Sequence, residues 1–368
     1  MTRALETYAL PWPASFRWVQ WARGHLFGTW SNTATTVLLL CVVLLGARSL
    51  LSWAFIEAVW TAPPGDSAPC RAMRGQGACW ALIGEKYRFL LFATYPYGEH
   101  WRPASACAIL IALYAMSGSR RFWCRRLLYA WGIGLASIAW VMWGGVFGLP
   151  FVSQDLWGGL PVTLLLATFG IASALPLGIL LALGRRATGL PLIRAMCVGY
   201  VELIRGVPLI SLLFMASFLF PLFMPAGTSI DKLLRAQIAF TLFAAAYLAE
   251  VVRGGLQSMP RGQLEAAQAL GLGYWSTHRL VILPQALRNV IPPMVNTSIA
   301  MLKNTSLVLI IGLFDLLNAG KASIVDPAWQ SFGVEMFIAV SLIYFAFCFS
   351  MSKYSQRLEA RLDAHRGR

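Results

Sequence analysis

The sequence predicts an all-α protein that crosses a membrane several times. Of its 368 residues, 58% are hydrophobic and only 12% are charged, whereas a soluble domain has about 45–50% apolar and about 25% charged residues. Apolar runs recur along the chain, and a run of about 20 residues spans a bilayer as a helix. The basic residues collect in alternate loops between these runs, as the positive-inside bias predicts. Together these observations indicate a polytopic membrane protein.

About eight apolar runs are interpreted as transmembrane helices. Three precede residue 157 and five follow it, which divides the chain into an N-terminal extension over 1–156, a core over 157–352 and a tail over 353–368. A long exterior loop, rich in proline, glycine and charge, follows the first run. The runs cover about residues 33–56, 103–117, 127–148, 159–183, 207–225, 236–252, 296–317 and 334–351.

The net charge of +15 is explained by topology. Arginine-rich loops all fall on one side of the membrane in this arrangement, which places both termini in the cytoplasm. A nucleic-acid partner is therefore not needed to account for the charge. The four histidines lack metal-ligand spacing, so we expect no metal site.

A polar stretch over 253–290 interrupts the apolar core. Helix-forming residues run from Gln263 to Leu270, and Gly271 and Gly273 follow where a helix stop is expected. A second helical segment runs from about Trp275 to Leu283, and Pro284 is predicted to limit it. Two short helices joined by a glycine bend would form a rigid knob at the membrane surface. Such a knob is suited to dock in a groove of another protein.

This stretch resembles the EAA loop of the membrane subunits of ATP-binding-cassette (ABC) importers. Val281 stands where that family usually has isoleucine. The runs Arg205–Leu209 and Lys303–Leu307 resemble the polar amino acid branch, which includes histidine, glutamine, arginine and general L-amino acid permeases. The resemblance covers about residues 157–352. The residues that match the loop pattern are Glu265, Ala266, Ala267, Gly271, Leu283 and Pro284.

The resemblance implies a type I ABC importer permease core with a three-helix N-terminal extension. It implies a permease subunit in the bacterial inner membrane, which imports polar or general L-amino acids. A separate ATPase subunit would hold ATP and Mg²⁺, and this chain would hold no cofactor. Two such ATPase subunits, a second homologous permease and a periplasmic amino-acid-binding protein are the implied partners.

The chain's own motifs offer no catalytic chemistry. Gly320-Lys321 is followed by Ala322, and Asp315 stands where a P-loop would have its first glycine. No HExxH or GxSxG run is present in the sequence. We therefore expect a transport subunit without enzymatic activity of its own.

The loop residues have structural as well as functional interpretations. Glu265 can stabilise the positive end of its helix, but the complete pattern favours docking to the ATPase. Ala266 and Ala267 would allow a partner helix to approach closely, although both also simply favour a helix. Leu283 and Pro284 are expected to pack the second segment against the membrane end.

One polar pair lies at the inner end of a predicted span, and a polar run lies within another. Glu250 and Arg253 are three residues apart, so we expect them to pair on one helix face. The run Lys303, Asn304, Thr305 and Ser306 must face protein or water. These four side chains either line the translocation path or hydrogen-bond to neighbouring helices, and the sequence leaves both alternatives open.

Cys70 and Cys79 lie in the exterior loop, unlike most of the seven cysteines. An oxidising periplasm would allow them to form a disulfide, but spacing alone does not establish the required geometry.

Two other functions are compatible with a polytopic protein. An ion-coupled secondary transporter would need its own buried coupling carboxylates, and Glu250 is the one carboxylate evident within a span. A non-transporting membrane scaffold would use the knob for another partner. Association with an ATPase distinguishes these alternatives from the importer.

Overall fold

The computed structural model describes residues 14–187, 189–225 and 230–363. It divides into two compact units, one up to Ala81 and the other from Leu82 onward. The functional boundary at 156/157 stays a prediction.

The first unit contains one long apolar helix. Helix α1 spans Ala14–Leu26, α2 spans Trp30–Leu51 and continues as a π-helical turn over Ser52–Ile56, and the short α3 spans Ala68–Ala72. The hydroxyl of Thr29 accepts a hydrogen bond from the N–H of Asn32 and so caps α2. No side chain of α2 is buried, as expected for an apolar helix surrounded by lipid. The helix confirms the predicted span over 33–56.

A disulfide closes the loop that follows α2. The sulfur atoms of Cys70 and Cys79 are bonded, and their Cα atoms are 5.4 Å apart, within the usual range for a disulfide. Beside it, the N–H of Val59 donates to the carbonyl of Ala78 over 2.8 Å. A Cβ atom on Gly77 would lie 1.8 Å from the carbonyl oxygen of Glu57, so only glycine allows this backbone approach.

The second unit is a bundle of helices with short connections. Its elements are α4 Ala81–Phe92, α5 Trp101–Gly118, α6 Arg125–Trp143, α7 Gly159–Gly184, α8 Pro191–Gly206, α9 Leu209–Phe214, α10 Phe220–Leu222, α11 Lys232–Gln257, α12 Arg261–Ala269, α13 Tyr274–Ser276, α14 Leu283–Asn289, α15 Ile291–Asn304, the two-residue strand β1 Phe314–Asp315, α16 Leu316–Ser323 and α17 Gly333–Asp363.

Within the described residues, six helices are long and apolar enough to cross a membrane. Helices α8 and α9–α10 meet at a bend of 103° and count as one further, broken span. The predicted span over 103–117 corresponds to α5, which is not among the six. Its first turn buries Arg102, whose guanidinium donates to the carbonyls of Val141, Met142 and Pro150. The described residues therefore contain six helices that could span a membrane, or seven if the bent pair counts as one span, compared with about eight predicted.

The centre of the second unit is the contact between α7 and α11. An added Cβ on Gly178 of α7 would lie 3.0 Å from the Cβ of Leu248 and 3.2 Å from the carbonyl oxygen of Ala245. Ala245 and Ala249 are fully buried on the facing side of α11. Small side chains let the two backbones approach, and close packing is what associates helices in lipid.

The seventh predicted span, over 296–317, is not a single α-helix. Helix α15 ends at Asn304, a 3₁₀ segment spans Thr305–Ile311, and Gly312 turns with φ +79°. Strand β1 then pairs in parallel with Gly158 and Gly159. Apolarity alone does not distinguish an α-helix from this broken path, because all of its segments are hydrophobic.

The α7–α11 contact predicts a steric effect at Gly178. We expect Gly178→Leu to destabilise the solubilised protein by about 1–3 kcal/mol, because the side chain would enter a filled interface. Thermal unfolding in detergent measures this. The matched control is Gly132→Leu, since an added Cβ on Gly132 of α6 meets no atom within 4 Å. Equal unfolding temperatures for both variants would contradict the packing argument.

Candidate functional site

The loop between α11 and α15 begins with a capped helical turn. Helix α12 spans Arg261–Ala269, and Gly271, two residues after its end, has φ +71°. The N–H of Gly271 donates to the carbonyl of Gln268 over 2.9 Å, and the N–H of Leu272 to that of Ala267 over 3.1 Å. This pair of bonds is a Schellman motif. The predicted helix stop and positive φ at Gly271 are therefore confirmed.

The second helical segment of the loop is longer than predicted. Helix α13 is followed by a π-helical turn over Thr277–Ile282 and then by α14, which runs on to Asn289. The prediction that Pro284 limits this segment is wrong. Proline conflicts with the carbonyl four residues before it in an α-helix, and the wider π turn directly before α14 removes that conflict.

The two halves of the loop form one packed body. The side chains of Ala267, Ile282 and Ala286 are at most 5% exposed. The amide nitrogen of Gln285 on α14 donates to the side-chain oxygen of Gln263 on α12 over 3.1 Å. These contacts produce the rigid knob that the sequence predicts. We call residues 261–289 the coupling knob.

The structure separates the matched loop residues into two groups. Glu265, Ala266 and Gly271 are exposed, and an added Cβ on Gly271 would meet no atom within 4 Å. Ala267 is only 3% exposed, so the expectation that it receives a partner helix is wrong. It faces inward because α12 must bury one side against the rest of the knob.

Leu283 and Pro284 lie where α14 meets the membrane helices. Leu283 is half-buried and packs on the apolar cluster that includes Leu183, Val252 and Leu256. Pro284 is exposed. The expected packing role therefore applies to Leu283 and not to Pro284.

Sequence reasoning missed an apolar surface on the knob. Leu270, Trp275 and Leu280 are 79%, 68% and 67% exposed. Large exposed apolar side chains grouped on one element indicate a protein contact. The signal was available in the sequence, because these three bulky apolar residues stand in an otherwise polar loop.

The knob is joined closely to the membrane helices. An added Cβ on Gly255 of α11 would lie 2.8 Å from the carbonyl oxygen of Ala286 and 2.6 Å from a methyl carbon of Val290. Arg186, just after α7, donates from Nη1 to the carbonyl of Leu256 over 2.9 Å. A displacement of the knob would therefore be transmitted to α11 and α7.

The carboxylate of Glu250 is shared by three arginines. Arg253 donates to it from the same helix face, which confirms the predicted pair. The nearest nitrogen of Arg185 is 3.0 Å away and that of Arg205 is 3.7 Å away. Arg185 also contacts Glu202 of α8 at 2.8 Å. The network thus joins the ends of α7, α8 and α11, although the sequence indicated only the local pair.

The polar run lies at the end of α15. Lys303 is exposed and Asn304 and Ser306 are partly exposed, whereas Thr305 is fully buried. The hydroxyl of Thr305 donates to the carbonyl of Leu302 over 2.8 Å within its own helix. Lys303 is about 18 Å along the axis from Ile291, at a rise of about 1.5 Å per residue. Ile291 begins a segment that is long and apolar enough to cross a membrane, so in such a span Lys303 would be near the middle of a hydrocarbon core of about 30 Å.

A second polar cluster follows the break. The carboxylate of Asp315 is fully buried and accepts from the N–H of Asn318 over 3.0 Å and from the hydroxyl of Tyr344 over 2.9 Å. The hydroxyl of Thr163 on α7 accepts from the N–H of Leu316 over 3.0 Å. Asp315 caps α16 and anchors it to α7 and α17. Sequence analysis missed this cluster because its members are far apart in the chain.

The Glu250 network predicts unequal effects of its members. We expect Glu250→Gln to destabilise the solubilised protein by about 2 kcal/mol or more, because it leaves several partly buried guanidiniums without their anion. Arg205→Gln should have a smaller effect, because its contact is the longest and its side chain is 36% exposed. Thermal unfolding gives the order, and the reverse order would exclude Glu250 as the shared anion.

Comparison with known proteins agrees with this geometry. Residues 174–364 match the family model for the binding-protein-dependent transport system inner membrane component. The chain is 47% identical over 375 residues to the inner membrane amino-acid ABC transporter permease protein YhdY of Escherichia coli K12, with 100% of this chain and 99% of that protein covered.

Two further similarities extend over smaller parts. The glutamate/glutamine/aspartate/asparagine transport system permease protein BztC of Rhodobacter capsulatus is 37% identical, over 94% of this chain and 93% of that one. A solved amino acid ABC transporter with histidines is 32% identical over 55% of this chain and 92% of its own, with a TM-score of 0.49. By the family match and the full-length similarity, this chain belongs to the family of binding-protein-dependent transport system inner membrane components.

Proposed function

We propose that the protein is the permease subunit of an ATP-driven importer of polar or general L-amino acids. The observation that carries the proposal is a rigid, capped knob with an exposed apolar surface, joined to the ends of the membrane helices. Relatives that align over nearly the whole chain are named as amino-acid permeases, which supports the substrate class.

In this proposal the knob couples the chain to a separate ATPase subunit that holds ATP and Mg²⁺. Glu265, Ala266 and Gly271 present polar and small surface to it, and Leu270, Trp275 and Leu280 present apolar surface. Tryptophan is enriched among the few residues that supply most of the binding energy of a protein interface, so Trp275 is the main candidate for such a contact. In this proposal the ATPase subunit carries out the hydrolysis, and this chain is expected to hold no cofactor.

Motion of the knob would reach the membrane through α14. Ala286 contacts Gly255 at the end of α11, and the Glu250 network lies between α11 and the bent pair α8–α9. A bent helix pair held by ion pairs is suited to two discrete arrangements. We infer that nucleotide-driven movement of the knob shifts these helix ends and opens the path alternately to either side.

The substrate path is proposed to pass Lys303. An exposed ammonium near the middle of the membrane is unfavourable unless it faces water or a partner chain. The adjacent break from α-helix to 3₁₀ helix leaves polar backbone where a solute can be bound. The ammonium would contact the carboxylate of a passing amino acid, while Asn304 and Ser306 offer neutral polar groups. Thr305 is buried and belongs to the helix packing instead.

The remaining partners follow from this role. A second homologous permease would cover the exposed face that carries Lys303, two ATPase subunits would bind the knobs, and a periplasmic binding protein would deliver the substrate. We propose that both termini lie in the cytoplasm of the bacterium, because arginines are frequent near both ends of the chain. The bonded Cys70–Cys79 pair would then lie in the oxidising periplasm, where a disulfide persists.

An ion-coupled transporter fits the described residues less well. Such a carrier needs a buried carboxylate that can bind and release an ion. The carboxylate of Glu250 contacts three arginines, and that of Asp315 is held by Asn318 and Tyr344. Both are thus engaged in structural contacts. A scaffold function would leave the Lys303 region without a role.

The docking surface is tested at Gly271. We expect Gly271→Asp to reduce ATP-driven uptake by about tenfold or more and to weaken ATPase association, because a charge would enter the contact surface. The side chain has space in the free chain, so membrane insertion should be unchanged. Uptake of labelled amino acid into vesicles with all partners present gives the measurement.

The matched control for this test is Gly271→Asn. Asparagine has nearly the same size, tolerates positive φ and adds no charge, so it should retain most of the uptake. Glu265→Lys on the same surface should resemble the aspartate variant. Uptake that persists in the absence of any ATPase would instead indicate an ion gradient as the energy source.

The path is tested at Lys303. We expect Lys303→Met to lower the uptake rate by about tenfold or more, because a charge-assisted hydrogen bond to the substrate is lost. Lys303→Arg should retain a larger part of the rate. ATPase association, measured by co-purification, should be equal in both variants. A methionine variant with normal uptake would exclude contact with the substrate.

A further inference from the structure

The turn between α5 and α6 concentrates positive charge in a few residues. Arginine occupies positions 120, 121, 125 and 126. A 3₁₀ turn spans Arg120–Phe122, and α6 begins at Arg125. The side chains of Arg121, Arg125 and Arg126 are exposed. We call residues 119–126 the basic turn.

The basic turn has no anionic partner within the described chain. No aspartate or glutamate occurs anywhere between Glu99 and Asp155. Among the described residues, none of the ion pairs includes Arg121, Arg125 or Arg126. Several guanidiniums packed closely together repel one another, and a counter-charge from outside the chain would relieve that repulsion.

The turn also connects helices that are expected to lie in the membrane. It joins two adjacent apolar helices, one of which is long and apolar enough to cross a bilayer. Phe122 is 42% exposed and Trp123 is 50% exposed, and exposed aromatic side chains are typical of the head-group region. The indole nitrogen of Trp123 donates to the backbone carbonyl of Ser117, and that of Trp131 donates to the hydroxyl of Ser117. These bonds attach the turn to the end of α5.

We propose that the basic turn binds the head group of an anionic phospholipid. Guanidinium is planar and donates two parallel hydrogen bonds to a phosphate. The phosphodiester of a lipid in the head-group layer would lie beside Arg121, Arg125 and Arg126. The acyl chains of that lipid would run along α5 and α6. Each arginine near an anionic membrane surface strengthens the binding of the protein to that surface by about fivefold. Three arginines together strengthen it by about a hundredfold.

The position favours a lipid over an acidic protein or a nucleic acid. The turn is only a few residues long between two apolar helices, so its arginines stay within the head-group layer. The flanking aromatics would lose their contact with that layer if a soluble partner covered the turn. Lipid is also the one anion that is present at this depth in every state of a transport cycle.

The test is native mass spectrometry of the detergent-solubilised full chain. The protein is titrated with phosphatidylglycerol and, separately, with phosphatidylcholine of the same acyl chains. The wild-type protein should bind phosphatidylglycerol at least tenfold more tightly than phosphatidylcholine. The triple variant Arg121→Gln, Arg125→Gln, Arg126→Gln should lose that preference, and the matched triple lysine variant should retain most of it, because the charge is kept.

A second measurement needs only the wild-type protein and so does not depend on how the variants fold. Its preference for phosphatidylglycerol should decrease as salt is raised, because screening weakens exposed charge pairs. Three outcomes would each overturn the proposal: equal binding of both lipids by wild type, unchanged preference in the folded glutamine variant, or displacement of bound phosphatidylglycerol by a soluble acidic polypeptide.

Discussion

The close approach of α7 and α11 is the constraint on which the rest of the second unit depends. Gly178 on one helix and Ala245 and Ala249 on the other bring the two backbones together, since helices in lipid associate by packing rather than by leaving water. Helix α11 then continues to the coupling knob, and α7 carries Thr163 towards the Asp315 cluster. One interface therefore positions the coupling knob and supports α16, the helix that follows the break after α15.

Charge at the inner end of these helices complements the packing. Glu250 lies between arginines from three helix ends, so α11, which leads to the knob, is connected to the end of α8 just before the bend between α8 and α9. Packed glycine contacts resist displacement, whereas partly exposed ion pairs can exchange partners at small energetic cost. The rigid glycine contacts would let the knob and α11 move as one body. The ion pairs would let the ends of α7, α8 and α11 adopt two different arrangements.

The knob shows how far a motif predicts geometry. Residue types alone indicated the helix, the stop at Gly271 and the second helical segment, because these follow from local propensity and from the positive φ that glycine allows. The direction of each side chain did not follow. Ala266 and Ala267 are adjacent and chemically identical, yet Ala266 is exposed and Ala267 is only 3% exposed. Pro284 was misjudged because a preceding π turn accommodates it.

The sequence by itself determined the membrane class, most of the spans, the knob and the pair of Glu250 with Arg253, since apolar length, charge bias and spacing along one helix are local properties. Only the tertiary structure decided that Arg185 and Arg205 share that carboxylate, that Thr305 is buried while Lys303 is exposed, and that Asp315 is held by Asn318 and Tyr344. Each of these depends on which helix faces which, and helix facing is set by close packing among residues distant in the chain.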